Sequence, residues 1–267
     1  MRALFKNPIL VREIDHRMRD NRTYFVPLIY VSVLALVAIG VYLSMTWIAN
    51  GAPAGSVQGW EIGKAIFHAV AFVQMGLVVL LVPSVSAAAI TAERDKGTLV
   101  PLLVTPLPRG QIALGKLLAP ILYVLLLVST SIPFAALSFG FGGTGPALLA
   151  STYACLLTTV LVLSALGLLI SSLLRRTVPA VLLAYGMVMI LVVGTGIGDL
   201  ILNLAREQNE TIFFLYLNPF TPLVLQMQDV FSPYETTASW WITPLLQLGL
   251  TALLVLIAAR RIRSLRE

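Results

Sequence analysis

The sequence predicts an all-α integral membrane protein, and three observations lead to that fold class. Hydrophobic residues make up 58% of the 267 residues and charged residues only 11%, whereas a soluble domain carries roughly a quarter charged residues. Five long stretches contain no Asp, Glu, Lys or Arg. They show no period-two alternation and are far longer than barrel strands, so helices are the only spanning structure that fits.

The charge-free stretches predict six spans, because about 20 apolar residues suffice to cross a bilayer. The third stretch, residues 117–174, is long enough for two crossings, and the glycine-rich segment 140–145 supplies the turn between them. One transmembrane domain, residues 23–267, therefore follows an amino-terminal segment, residues 1–22. We predict its spans at approximately residues 24–47, 63–90, 117–137, 146–174, 178–197 and 240–259.

Lysine and arginine lie almost entirely on one side of these spans. The amino-terminal segment, the loop after span two, the turn after span four and the carboxyl terminus hold 16 of the 18, and only Lys64 and Arg206 lie opposite. By the positive-inside rule the basic side is cytoplasmic. Both termini are therefore expected in the cytoplasm, and residues 199–239 are expected on the outer side.

The pattern of residues 1–22 predicts an amphipathic helix that lies on the cytoplasmic face of the membrane. Asn7 and Pro8 are typical of a helix start, and apolar side chains then recur at three- and four-residue spacing. Anionic headgroups attract such a basic helix. The helix is either a topology-setting anchor or also a brace for a cytoplasmic partner, and the candidate residues for that interface are Leu10, Arg12, Glu13, Ile14, Arg17 and Met18.

Residues 93–116, which we call the polar loop, separate spans two and three and are predicted to be cytoplasmic. The loop begins as a charged helix end, and Gly97 can adopt the left-handed conformation that stops that helix. Thr98 can cap a second short helix, residues 99–104. The leucines of this helix are too apolar for a solvated loop, and clustered exposed apolar residues mark an interface. We therefore predict a short helix that fits a groove of a soluble partner.

The end of the polar loop also satisfies G-x-x-x-x-G-K, from Gly110 to Lys116, the start of a phosphate-binding loop. However, Leu117 stands where Ser or Thr would hold Mg²⁺, and no strand precedes the motif. Nucleotide binding by this chain is therefore not expected. No catalytic residue is predicted either, because the spans lack paired acids and a His/Glu cluster. We also predict no metal site, no cofactor bound by this chain and no nucleic-acid partner.

Residues 212–225, between spans five and six, are strongly apolar but too short to cross, and Pro219 and Pro222 interrupt them. We predict a re-entrant element packed on the outer mouth of the bundle, with a loop lying on the lipid headgroups as the alternative. His68 in span two is either satisfied within the bundle or functional. Because the spans contain almost no other ionisable group, ion-coupled transport is disfavoured and lipid-like or amphipathic cargo is mildly favoured.

Three segments resemble the type 2 ABC-transporter permeases, and with the six-span layout the resemblance covers essentially the whole chain. The most specific is the polar loop, with Glu93-Arg94-x-x-Gly97-Thr98-Leu99, Leu102-Leu103-x-Thr105-Pro106-Leu107 and Ile112-x-x-Gly115-Lys116. The others are Asn7-Pro8-Ile9-Leu10-x-Arg12-Glu13 and Asn218-Pro219-Phe220. The loop departs from the family at Val100 and Pro101, where related permeases tend to have a polar or acidic residue and a leucine.

The resemblance implies a permease subunit, without ATPase activity of its own, of an ABC exporter in the inner (plasma) membrane of a prokaryote. Two permeases, identical or paralogous, would move cargo along their interface, and each would dock on one of two copies of an ATPase that binds ATP and Mg²⁺. The alternative is a scaffold that couples an ABC ATPase to a larger envelope assembly without transport.

The resemblance also assigns roles to two sets of residues. It makes Asn218, Pro219 and Phe220 the outer gate. It places the ATPase contact in the polar loop, at Glu93, Arg94, Gly97, Thr98, Leu99, Leu102, Leu103, Thr105 and Pro106.

Overall fold

A computed structural model of the chain describes residues 22–51, 57–97, 109–198, 201, 216–231 and 241–264, and these residues are helices and short turns with no strand. Six helical segments within them are long and apolar enough to cross a membrane, which confirms the predicted all-α fold with six spans. In chain order the elements are α1 (Arg22–Gly51), α2 (Gly59–Asp95), α3 (Arg109–Ser129), α4 (Ile132–Gly140), α5 (Pro146–Leu173), α6 (Thr177–Met189), a π-helical turn (Ile190–Gly194), α7 (Thr221–Phe231) and α8 (Ile242–Ser264).

Several helices extend beyond the predicted spans. The second span, predicted for residues 63–90, is helical over Gly59–Asp95, so the charged segment continues the helix as expected. Gly97 follows with φ of 70°, the left-handed conformation that a glycine adopts without a steric penalty. The fourth span begins at Pro146, as predicted, and ends at Leu173.

The third span, predicted for residues 117–137, is one span in the structure, Pro120–Gly140, but it is made of two helices. α3 ends at Ser129 and α4 begins at Ile132. The hydroxyls of Ser129, Thr130 and Ser131 each donate to a carbonyl three residues earlier, at 2.7, 2.7 and 2.6 Å, and Pro133 has no N–H to donate. These local side-chain bonds compete with the helical ladder, so the helix is interrupted at this point.

α5 is the central helix of the bundle. In its most apolar stretch 78% of the residues are buried, against 17% for α1 and for the span that contains α6. α5 packs against α2, α3, α6 and α8, and the main core joins Met75 and Val82 of α2 to Leu156 and Leu163 of α5. α1, α6 and α8 present large apolar side chains outward, as helices in a membrane do.

The turn between α4 and α5 packs on the start of α2. Gly142 has φ of 75°, and a Cβ on Gly143 would collide with the backbone of Trp60 and Lys64. Glycine is therefore required here both for backbone conformation and for close approach. This is the glycine-rich turn that the sequence predicts between spans three and four.

Candidate functional site

The predicted functional residues fall only partly within the described structure. Glu93, Arg94 and Gly97, at the end of α2, are described, as are the three gate candidates Asn218, Pro219 and Phe220. The other candidates for the ATPase contact and the interface helix lie outside the described residues, namely Thr98, Leu99, Leu102, Leu103, Thr105, Pro106, Leu10, Arg12, Glu13, Ile14, Arg17 and Met18.

The end of α2 is bonded to the turn between α5 and α6. Nη1 of Arg94 donates to the carbonyl oxygen of Leu174 at 3.0 Å. Oδ2 of Asp95 accepts the backbone N–H of Thr177 at 3.1 Å and the Thr177 hydroxyl at 2.5 Å. We call these four residues the Arg94–Asp95 bracket. The bracket joins the helix that leads into the polar loop to spans four and five.

Close to the bracket, the backbones of α2 and α5 approach each other. A Cβ added to Gly167 would lie 2.7 Å from Cβ of Ser86. Oγ of the buried Ser171 accepts the backbone N–H groups of Ile90 and Thr91, at 2.9 and 3.1 Å. Small residues permit such contacts between membrane helices. α2 and α5 are therefore closely packed over the half of each helix that lies near the bracket.

The segment before α7 is bonded to the far end of span five. Nδ2 of the buried Asn218 donates to the carbonyl oxygen of Val192 at 2.9 Å and to Oγ1 of Thr195 at 3.0 Å. Its Oδ1 accepts the N–H of Phe220 at 3.0 Å. The Phe220 ring stacks on Phe72 of α2, with 6.3 Å between the ring centroids. These contacts hold the gate candidates against the bundle.

The span-five partner of Asn218 lies in the π-helical turn Ile190–Gly194, an irregularity that is frequent at functional sites. After Asn218 the chain forms α7, with Pro222 in the first turn, where its missing N–H is harmless. α7 packs against α2 and α5, and Leu223 is only 1% exposed. The prolines that interrupt the apolar stretch in the sequence thus precede and begin a short helix.

This chain combines six spans with a charged helix end that leads into the polar loop and a packed segment between spans five and six. The family model for the ABC-2 family transporter protein matches residues 8–263. The chain belongs to the ABC-2 transporter family. It is a multi-pass membrane protein of the kind that typically serves as a non-enzymatic subunit, and membership implies association with an ABC ATPase subunit. A comparison with curated proteins gives no match.

In this ABC-2 family protein, the central helix bonds to α7 and α8 through buried hydroxyls. Oγ1 of Thr152 donates to Oε1 of Gln226 on α7 at 2.8 Å. Farther along α5, Thr158 and Thr159 donate to Oε1 of Gln247 on α8, at 2.8 and 3.2 Å. Nε2 of Gln247 is buried and has no hydrogen-bond partner among the described residues. The amide therefore brings both a favourable contact and an unsatisfied donor into the apolar interior.

We expect Gln247→Met to leave stability within about 1 kcal/mol of the natural chain. It removes the unsatisfied donor, and the threonine hydroxyls that lose their acceptor can donate to carbonyls of their own helix, as Thr158 does to Cys155 at 3.0 Å. Gln247→Glu should lower stability markedly, since it places a charge among the same buried groups. Thermal unfolding of both variants in detergent measures the difference. A large loss of stability with Met would contradict this account of the contact.

His68 of the ABC-2 family protein lies in α2 and is 6% exposed. Nδ1 of its ring is 2.9 Å from the carbonyl oxygen of Lys64, one helical turn earlier, whereas Nε2 has no partner within the described part of the chain. No group of three or more His, Cys, Asp or Glu able to hold a metal occurs among the described residues. His68 is thus held by its own helix and not by a cluster of ligands.

Three bracket residues of this ABC-2 family protein, Asp95, Leu174 and Thr177, are not candidates from the sequence. Asp95 and Thr177 bond to each other over 82 residues of sequence, and Leu174 bonds to Arg94 over 80, so no local pattern links them. One signal was available in the sequence. α6 follows Arg176, which makes no side-chain cap, and an uncapped helix start on the basic side requires an acceptor from elsewhere.

Proposed function

We propose that this chain is the permease subunit of an ABC exporter in the inner (plasma) membrane of a prokaryote. Two permeases, identical or paralogous, form the cargo path at their interface, and each docks on one copy of a separate ATPase. That ATPase binds ATP and Mg²⁺, and the permease chain binds neither. The observation that carries the proposal is the family match over residues 8–263, which includes both the polar loop and the segment before α7.

The polar loop is the element that contacts the ATPase in this proposal. Its support is the continuous helix α2, which reaches Asp95 and is bonded there to Thr177, the first residue of α6. A loop attached to such an end can pass a displacement to several spans at once. At the other end of the spans, Asn218, Pro219 and Phe220 form the gate. ATP binding then shifts the population between closed and open arrangements of the permeases.

Leu102→Asp and Leu103→Asp should abolish binding of the ATPase subunit, because an apolar helix in a groove cannot accommodate a charge without a partner. The measurement is co-purification of the tagged chain with a co-expressed ABC ATPase subunit, followed by an ATPase assay of the complex. We expect the chain alone to hydrolyse no ATP.

Leu102→Met is the matched control, since it keeps an apolar side chain of similar volume, and it should retain the ATPase. Undiminished co-purification of both Asp variants would refute the loop contact. Transport is distinguished from a scaffold role by movement of cargo into vesicles. With an ATPase-inactive partner, that movement should cease if the complex is a transporter.

A further inference from the structure

The Arg94–Asp95 bracket occupies the side chain of Arg94, which the resemblance alone assigns to the ATPase contact. Arg94 donates to Leu174 at 3.0 Å, and Asp95 accepts two hydrogen bonds from Thr177. Each bond joins residues 80 or 82 positions apart, so the bracket is a contact between spans. Both side chains bond to groups of the protein's own spans, Arg94 partly buried and Asp95 at the surface.

The bracket completes two helix ends that have no cap of their own. Leu174 leaves α5 in an extended conformation, with ψ of 154°, and Arg94 satisfies its carbonyl oxygen. Thr177 begins α6, and its preceding residue, Arg176, makes no side-chain cap. Asp95 supplies both the hydrogen bonds and the negative charge that a helix amino terminus favours. The end of span four and the start of span five therefore both depend on residues of span two.

The same region is stiffened from within the bundle. Ser171 bonds to two backbone N–H groups of α2, and Gly167 allows α2 and α5 to touch. Two residues after Asp95 the chain turns at Gly97, with φ of 70°, and the rest of the polar loop follows. The rest of the polar loop is thus attached to a closely packed unit built from α2, α5 and the start of α6.

We propose that Arg94 and Asp95 are positioning residues that carry movement of the polar loop into spans four and five, and that they do not contact the ATPase. This inference rests on the proposed function, in which the ATPase moves the loop. If the hydrogen bonds of the bracket are removed, movement of the loop displaces α2 alone, and the start of α6 does not move with it. With the bracket, the three helix ends move together.

Spin labels at two positions, one in each of two separately labelled chains, report the movement on each side of the bracket. With the buried Cys155 replaced by Ala, one label is attached at Lys96→Cys, on the loop side, and another at Leu182→Cys, a position of α6 that is 67% exposed. Each singly labelled chain is purified with its co-expressed ABC ATPase in lipid nanodiscs. Spectra are compared without nucleotide and with ATP plus orthovanadate.

In the otherwise natural chain both labels should respond to nucleotide. Adding Arg94→Ala and Asp95→Ala should abolish the response at position 182 while ATPase binding, ATP hydrolysis and the response at position 96 persist. Asp95→Asn, which keeps an acceptor for Thr177, should restore most of the response at 182 when Arg94 is intact. Arg175→Ala removes an exposed arginine from the same turn and should leave both responses unchanged.

A full response at position 182 in the double alanine variant would overturn the inference and leave the proposed function standing. Loss of ATPase binding in that variant would also overturn it, because it would make these residues ATPase contacts. A natural chain that neither retains the ATPase nor responds at position 96 would overturn the proposed function, and the inference with it. Size-exclusion chromatography of each complex verifies that the variants fold.

Discussion

Gly167→Ala should destabilise the protein by about 1–3 kcal/mol, the usual cost of forcing an extra group into a packed core. The added Cβ would lie 2.7 Å from Cβ of Ser86 and 2.9 Å from the backbone nitrogen of Ala87. Backbone atoms of a helix cannot move aside cheaply, so α2 and α5 must separate. Thermal unfolding of the purified chain in detergent, or its yield as a monodisperse species, measures the loss.

A matched control is Gly249→Ala in α8, where an added Cβ meets no atom within 4 Å, and it should be neutral or slightly stabilising. Ser86→Gly in the same chain as Gly167→Ala removes the colliding side chain, so it should recover part of the lost stability. If Gly167→Ala unfolds at the same temperature as the natural chain, the close approach of α2 and α5 is not as described.

Asn218→Asp should release the segment before α7 from the bundle. The substitution keeps the acceptor for the Phe220 N–H but replaces the Nδ2 donor with a carboxylate oxygen 2.9 Å from the Val192 carbonyl. Two bonds are lost and a buried charge is left, each lost partner costing about 1–3 kcal/mol. Hydrogen–deuterium exchange over residues 216–231 should increase, and cargo export by the complex should fall.

Asn50→Asp makes the same chemical change at an exposed position near the end of α1 and should alter neither measurement. Lower pH, which protonates the carboxylate at position 218 and gives it a donor again, should recover part of the protection. Protection that is equal in the Asn218→Asp and natural chains would show that these bonds do not hold the segment.

Most of the fold could be predicted from the sequence because hydrophobicity acts locally along the chain. An apolar stretch of about 20 residues crosses a bilayer as a helix whatever surrounds it. Glycine and proline predict the turn before Pro146 in the same local way. The break at Ser129–Ser131 could not be read from apolar length, because it depends on hydroxyls that bond back to the helix within an otherwise apolar run.

The functional sites could be predicted from the sequence less completely than the fold. The polar loop stands out in the sequence as a charged, leucine-containing exception between two spans, and Gly97 could be predicted from its own backbone freedom. The hydrogen-bond partners of Arg94 and Asn218 could not be predicted, because each bond joins segments that are distant in sequence. Motif resemblance marks Asn218 as a residue of interest, but it does not say that its amide bonds to the π-helical turn of span five.

The sequence by itself determined the class, the number of spans and the family resemblance of this protein, since these depend on composition and on residues close together in the chain. Only the tertiary structure decided that α5 is the central helix and that Arg94 and Asp95 bond to Leu174 and Thr177 of their own chain. Every span is apolar enough to face lipid, so hydrophobicity cannot tell one from another. Close contacts and hydrogen bonds between helices select their neighbours.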